Sequence, residues 1–155
     1  MDILRTRVNL LTVNPGQLKL GQMTPNAEKC TQIGLIDDDA SVRSAVSRLL
    51  RSHDYACKAY ESAESALADP DLAGVDCLVV DVQLSGMNGF SLRDRLLQDG
   101  VLVPCLFITA HAQTDSPEWI RSVGSNLCVI KPFDESQLLG AIHKLLENDN
   151  QPPPP

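Results

Sequence analysis

Five side chains have types and positions suited to acting together: Asp37, Asp38, Asp81, Thr109 and Lys131. Carboxylates brought close repel one another, and a hard divalent cation relieves that repulsion. Mg2+ takes oxygen ligands in near-octahedral geometry, usually one or two carboxylates with waters. Asp38 and Asp81 suit direct ligation and Asp37 ligation through a water, while the backbone carbonyl of Gln83 offers another oxygen. A cation alone leaves Thr109 and Lys131 without a task. A hydroxyl and an ammonium facing a carboxylate cluster suit a bound phosphoryl group. Asp81 would attack phosphorus and form an acyl phosphate, with Mg2+ bridging a phosphoryl oxygen. Lys131 would neutralise one oxygen and Thr109 would hydrogen-bond another.

Each residue also has a plainer reading. A strand-end Asp81 can cap the next turn, Thr109 can be an ordinary β-branched strand residue, and Lys131 can sit on the surface. The constellation outweighs its members. Asp39, next to the acidic pair, reads as a helix N-cap.

Residues so far apart in sequence need a fold that brings them together. Cys77-Leu78-Val79-Val80 is an unbroken apolar run that stops at Asp81. Such a run predicts a strand buried on both faces, as in the middle of a parallel sheet. Similar strands are predicted over 32–36, 55–60, 104–108 and 127–130, and four of the five end at a candidate residue. Helical spacing of Val42, Ala45, Val46, Leu49 and Leu50 predicts a helix over 40–51. Ser62 caps a short helix to Ala68, and Phe90, Leu92, Leu96 and Leu97 mark a helix closed by Gly100. Ser116-Pro117-Glu118 opens a short fourth helix ending at Gly124. Asp134-x-x-Gln137 has the capping-box form and opens the last helix. Strands alternating with helices predict an α/β, doubly wound, five-stranded parallel sheet with five helices. Ligands of such sheets sit at the carboxyl ends of the strands.

The chain of 155 residues is long enough for one domain with its own core. Residues 1–31 read as a poorly ordered leader, 32–147 as the domain and 148–155 as a polar tail ending in prolines. The net charge of -7 argues against direct nucleic-acid binding by the domain surface. No apolar run reaches the roughly 18 residues of a membrane span, so no membrane insertion is expected. The five cysteines form no CxxC pair and read as small buried hydrophobes in a reducing, cytoplasmic setting. His53, His111 and His143 are scattered and read as exposed or structural.

At this point the chain resembles a known family, the receiver domain of two-component response regulators. The likeness rests on Ile36-Asp37-Asp38-Asp39, on Val79-Val80-Asp81 with Gly86-Met87-Asn88-Gly89, on Phe107-Ile108-Thr109-Ala110 and on Lys131-Pro132-Phe133. The details most resemble regulators of the nitrogen-fixation type. The resemblance implies a flavodoxin-like (β/α)5 receiver fold, Asp81 as phosphoacceptor, and Asp37 and Asp38 as the Mg2+-binding acidic pair. Thr109 would be the switch hydroxyl, Lys131 the phosphate-contacting lysine and Lys131–Pro132 a cis bond. Arg43 falls where many members carry arginine. The donor would be a phosphohistidine on a sensor histidine kinase or a histidine phosphotransfer protein.

Four residues depart from the family pattern: Ser85, Cys128, and Asn126 with Leu127, which replace part of a common Gly-Ala-x-Asp segment and point to an unusual partner surface. Ser85 stands where proline is usual, which predicts a more mobile loop. Cys128 stands where an aromatic usually changes rotamer with the threonine. The reading is a single-domain response regulator that accepts phosphate on itself, hydrolyses it slowly and signals through a partner protein. It is not an enzyme acting on a separate substrate. A free-standing aspartyl-phosphate hydrolase would carry a second Asp where this chain has Gln83. The alternative of another class is a receiver-like interaction module that is never phosphorylated, suggested by Cys128.

Overall fold

The computed structural model describes residues 29–110 and 128–149. Five strands form one sheet: β1 (Gln32–Ile36), β2 (Ala56–Tyr60), β3 (Cys77–Asp81), β4 (Cys105–Thr109) and β5 (Cys128–Ile130). Their order is β2-β1-β3-β4-β5 and every pairing is parallel. Parallel neighbours need crossovers, and among the described residues helices supply three of them: α1 (Ala40–Ser52), α2 (Ala63–Leu67) and α3 (Gly89–Gln98); α4 (Glu135–Asp149) follows β5 and packs on the sheet. This is the flavodoxin-like receiver architecture expected. The helix predicted over 116–124, together with Trp119 and His111, lies outside the described residues. A short 3-10 turn, Leu72–Gly74, adds to the expected elements.

The pleat of β3 explains why its apolar run is continuous. Leu78 and Val80 enter one core with Ala63, Ala66, Leu92, Leu96 and Phe107, under α2 and α3. Cys77 and Val79 enter the other with Val46, Leu50, Leu138 and Ile142, under α1 and α4. A strand with helices on both faces needs apolar residues at every position. Cys77 through Val80 are wholly shielded from solvent. Burial of each large side chain there contributes about 1.5–3 kcal/mol.

The helix starts are set by polar side chains. Asp39 accepts from the amides of Ser41 at 2.8 Å and Val42 at 3.3 Å. Ser62 and Ser65 form a reciprocal box at α2. Asn88 accepts from Ser91 at 2.8 Å, and Asp134 and Gln137 exchange two bonds at α4. Each satisfies amides that a helix leaves unpaired in its first turn. The last helix runs to Asp149, two residues past the expected domain edge. Helix ends shift by this much with small changes in terminal hydrogen bonding.

Candidate functional site

The sheet brings the carboxyl ends of β1, β3 and β4 together. Ile36 pairs with Val80, and Asp81 with Ile108. Asp37 therefore follows β1 beside the end of β3, and Thr109 comes one residue after the partner of Asp81. Asp37, Asp81 and Thr109 are all buried, at 1%, 7% and 1% exposure. Asp38 is exposed at the rim. One carboxylate oxygen from each of Asp37, Asp38 and Asp81 lies within 4.8 Å of the others.

Lys131 arrives from the end of β5 on a backbone bond, its amide donating to the Thr109 carbonyl at 2.8 Å. The Lys131–Pro132 peptide is cis. The ammonium then sits 3.1 Å from Asp81 Oδ2 and 3.5 Å from Asp37 Oδ2. Asp81 Oδ1 accepts from the backbone amide of Gln83 at 2.9 Å. Asp37 Oδ1 accepts from the Asp39 amide at 2.9 Å, and the Arg43 guanidinium donates to the Asp37 carbonyl at 2.7 Å. Both buried carboxylates are thus oriented by backbone amides two residues on.

Burial pushes the Asp37 carboxyl above its ordinary value, and the neighbouring Asp81 adds to this. The Asp39 amide and Lys131 oppose the rise without cancelling it. For Lys131, burial alone would lower the ammonium value. Its hydrogen bond and charge pairing with Asp81, with help from Asp37, outweigh burial and raise it. The lysine is therefore held as a fixed cation. With the three carboxylates ionised, one ammonium leaves the cluster with two uncompensated negative charges.

That donor set fits Mg2+. All the side-chain donors are hard oxygens, and their spacing approaches the roughly 4 Å that separates opposite ligands around this ion. Asp37, Asp38 and Asp81 are the residues that would hold it.

The loop after β3 is shaped by features that sequence reading passed over. Ser85 donates to Asp38 Oδ2 twice, from its amide at 3.2 Å and its hydroxyl at 3.0 Å. Glu64 of α2 accepts from the Met87 amide at 2.8 Å. Two polar anchors thus act on this loop. Gly86 has φ +82°, and Gly89 lets α3 start against the strand: a Cβ there would stand 2.7 Å from the Asp81 carbonyl oxygen. The Gly-Met-Asn-Gly motif was the available signal for the glycines. Nothing local marked Glu64 or the Ser85–Asp38 contact, since 23 and 47 positions separate the partners.

The remaining candidates lie apart from this cluster in role. His53 is the exposed C-cap of α1, and His143 pairs with Glu147 at 3.2 Å on the outer face of α4. Cys77 and Cys105 are buried, their thiols pushed up to about 12 and about 11 by desolvation. They are inert core residues, as expected. Cys128 pairs with Phe107 across the sheet and packs on the α2–α3 core.

A family model for the response regulator receiver domain matches residues 33–143. The chain belongs to this family. The response regulator TmoT of Ectopseudomonas mendocina is 34% identical over 135 residues, covering 86% of this chain and 59% of that protein. The chain thus spans little more than half the length of that relative. Among solved structures, a response regulator receiver protein from Burkholderia phymatum is 35% identical with a TM-score of 0.63, covering 75% of this chain and 94% of that one. FixJ-N is 26% identical with a TM-score of 0.66, covering 75% and 93%. Receivers are signalling modules of two-component systems, and members generally bind Mg2+ at an acidic pocket. Among the described residues no helix is long and apolar enough to cross a membrane.

Proposed function

We propose that this receiver takes a phosphoryl group onto Asp81 from a phosphohistidine of a sensor kinase or phosphotransfer protein. The observation that carries the reading is Lys131 bridging Asp81 and Asp37 beside an acidic rim residue, Asp38. An oxygen of the Asp81 carboxylate attacks phosphorus, the P–N bond to the donor imidazole breaks, and an acyl phosphate remains on the receiver. Bound Mg2+ supplies charge neutralisation between the carboxylates and the phosphoryl oxygens. Lys131 shifts its ammonium contact from the carboxylate to a phosphoryl oxygen. Thr109, at the end of β4, gives its hydroxyl to another. Asp38 and Asp81 would hold the cation directly and Asp37 through a water, with the carbonyl of Gln83 as a further ligand.

The acyl phosphate is hydrolysed slowly on the receiver itself, by water entering past the Gln83 side chain. Output passes through a partner protein in the cytoplasm, using the face made by β5 and α4. With Cys128 in place of an aromatic, the movement of Thr109 is transmitted without a rotating ring.

Beryllofluoride with Mg2+ tests the reading, because it mimics an acyl phosphate. The proposal expects amide NMR shifts around Asp81, Thr109 and Lys131 that need both reagents and vanish in Asp81→Asn. An interaction module that is never phosphorylated would show none of them.

A further inference from the structure

We propose that Ser85 is a positioning residue for the cation, holding the exposed carboxylate of Asp38 ready to ligate. The inference rests on the Mg2+ reading of the Asp37, Asp38 and Asp81 cluster. Asp38 stands on the rim, and an exposed carboxylate ordinarily samples several rotamers. Here two donors from one residue, the amide and hydroxyl of Ser85, converge on a single oxygen, Oδ2. Among the described residues Oδ1 carries no hydrogen bond and keeps its lone pairs for a cation. Proline, usual at this position, could offer neither donor. The loop that carries Ser85 is itself fixed, by Glu64 accepting from the Met87 amide and by the Gly89 amide donating to the Val82 carbonyl at 3.1 Å. The serine therefore presents its donors from a held backbone, and Asp38 loses its freedom before the cation arrives rather than on binding.

Two hydrogen bonds on a carboxylate also draw charge from it, which weakens a ligand. The arrangement favours the first effect. Both bonds fall on the same oxygen, and solvent screens the charge withdrawal at an exposed site. Partners that orient metal ligands typically contribute about 10–100-fold in affinity. An exposed pair retaining one of its two donors should contribute less, on the order of threefold to tenfold.

The test is an amide NMR titration of the full chain with Mg2+ alone. Ser85→Ala should weaken binding by on the order of threefold to tenfold, and Ser85→Thr, which keeps the hydroxyl, should restore it to about the wild-type value. In an Asp38→Ala background, Ser85→Ala should have no further effect, because its only route to the cation is gone. A merely structural serine would instead act equally in both backgrounds. Binding by Ser85→Ala as tight as, or tighter than, that of the unmutated chain overturns the proposal while leaving the metal site standing. So does failure of Ser85→Thr to restore binding. Absence of any Mg2+ response in the unmutated chain overturns the metal reading, and the role of Ser85 with it.

Discussion

Asp37 and Lys131 set the character of the site at the scale of single residues. Asp37 is nearly inaccessible and its carboxyl is raised, chiefly by burial. A raised folded-state value means the folded protein holds that proton more tightly than the unfolded chain. Stability from this residue is present below the ordinary value of 3.8 and lost as pH rises through the raised one. Asp37→Asn should therefore stabilise the Mg2+-free protein at neutral pH and abolish its stabilisation by Mg2+. Urea midpoints with and without the ion, across that pH window, read both effects. Lys131→Met removes the ammonium that bridges Asp37 and Asp81. Breaking a fully buried pair costs about 3–5 kcal/mol. Lys131 is 27% exposed, so the loss should lie below that range, and Mg2+ should recover part of it. Equal stability of Lys131→Met and the unmutated chain without Mg2+ would refute the electrostatic account.

The crossovers and strand ends govern the element scale. Gly89 lets α3 begin in contact with the backbone of β3, and a side chain there meets the Asp81 carbonyl oxygen and Val82 Cα. Backbone cannot move aside as a flexible side chain can. Gly89→Ala should displace the start of α3, destabilise the fold by about 1–3 kcal/mol and weaken the Mg2+ response, read by denaturant melts and NMR titration. Leu78→Ala, deeper in β3, should cost about 2–5 kcal/mol through its cavity with little change in Mg2+ affinity at temperatures where the protein stays folded. The contrast separates holding the site from holding the fold.

These elements also show what the sequence could reveal. β1 and β3 are legible to the residue because each is an apolar run ended by an acid. β2 starts one residue later than the pattern suggested, since Tyr55 is half-buried and apolar without joining the ladder. Helical spacing places Ala45 on the core face of α1, yet it is exposed while Ser47 is buried. Ser47 meets the Cys57 thiol at 3.5 Å, and such a polar–thiol contact has no period to betray it. The turn Leu72–Gly74 is too short to leave a pattern. The convergence of Asp37, Asp81 and Lys131 follows from topology once the strands are placed. The Ser85–Asp38 and Glu64–Met87 contacts depend on loop conformation, which hydrophobic periodicity does not encode.

For the whole molecule, the sheet order gathers distant residues at one edge while two cores hold that edge in place. Most of the chemistry sits on strand ends, and the polar anchors sit on the loops. A ligand that binds only the folded state stabilises it by mass action, about 2.7 kcal/mol at a hundred times its dissociation constant. Saturating Mg2+ should accordingly raise the melting temperature of the unmutated chain by several degrees, and Asp81→Asn should blunt the gain.

The most direct test of the central claim is to expose the chain to a small acyl-phosphate donor with Mg2+ and map the modified residue by mass spectrometry after borohydride trapping. The account predicts one phosphoryl group, on Asp81, dependent on Mg2+ and absent from Asp81→Asn. Phosphoryl transfer to another residue, or undiminished labelling of Asp81→Asn, would contradict it.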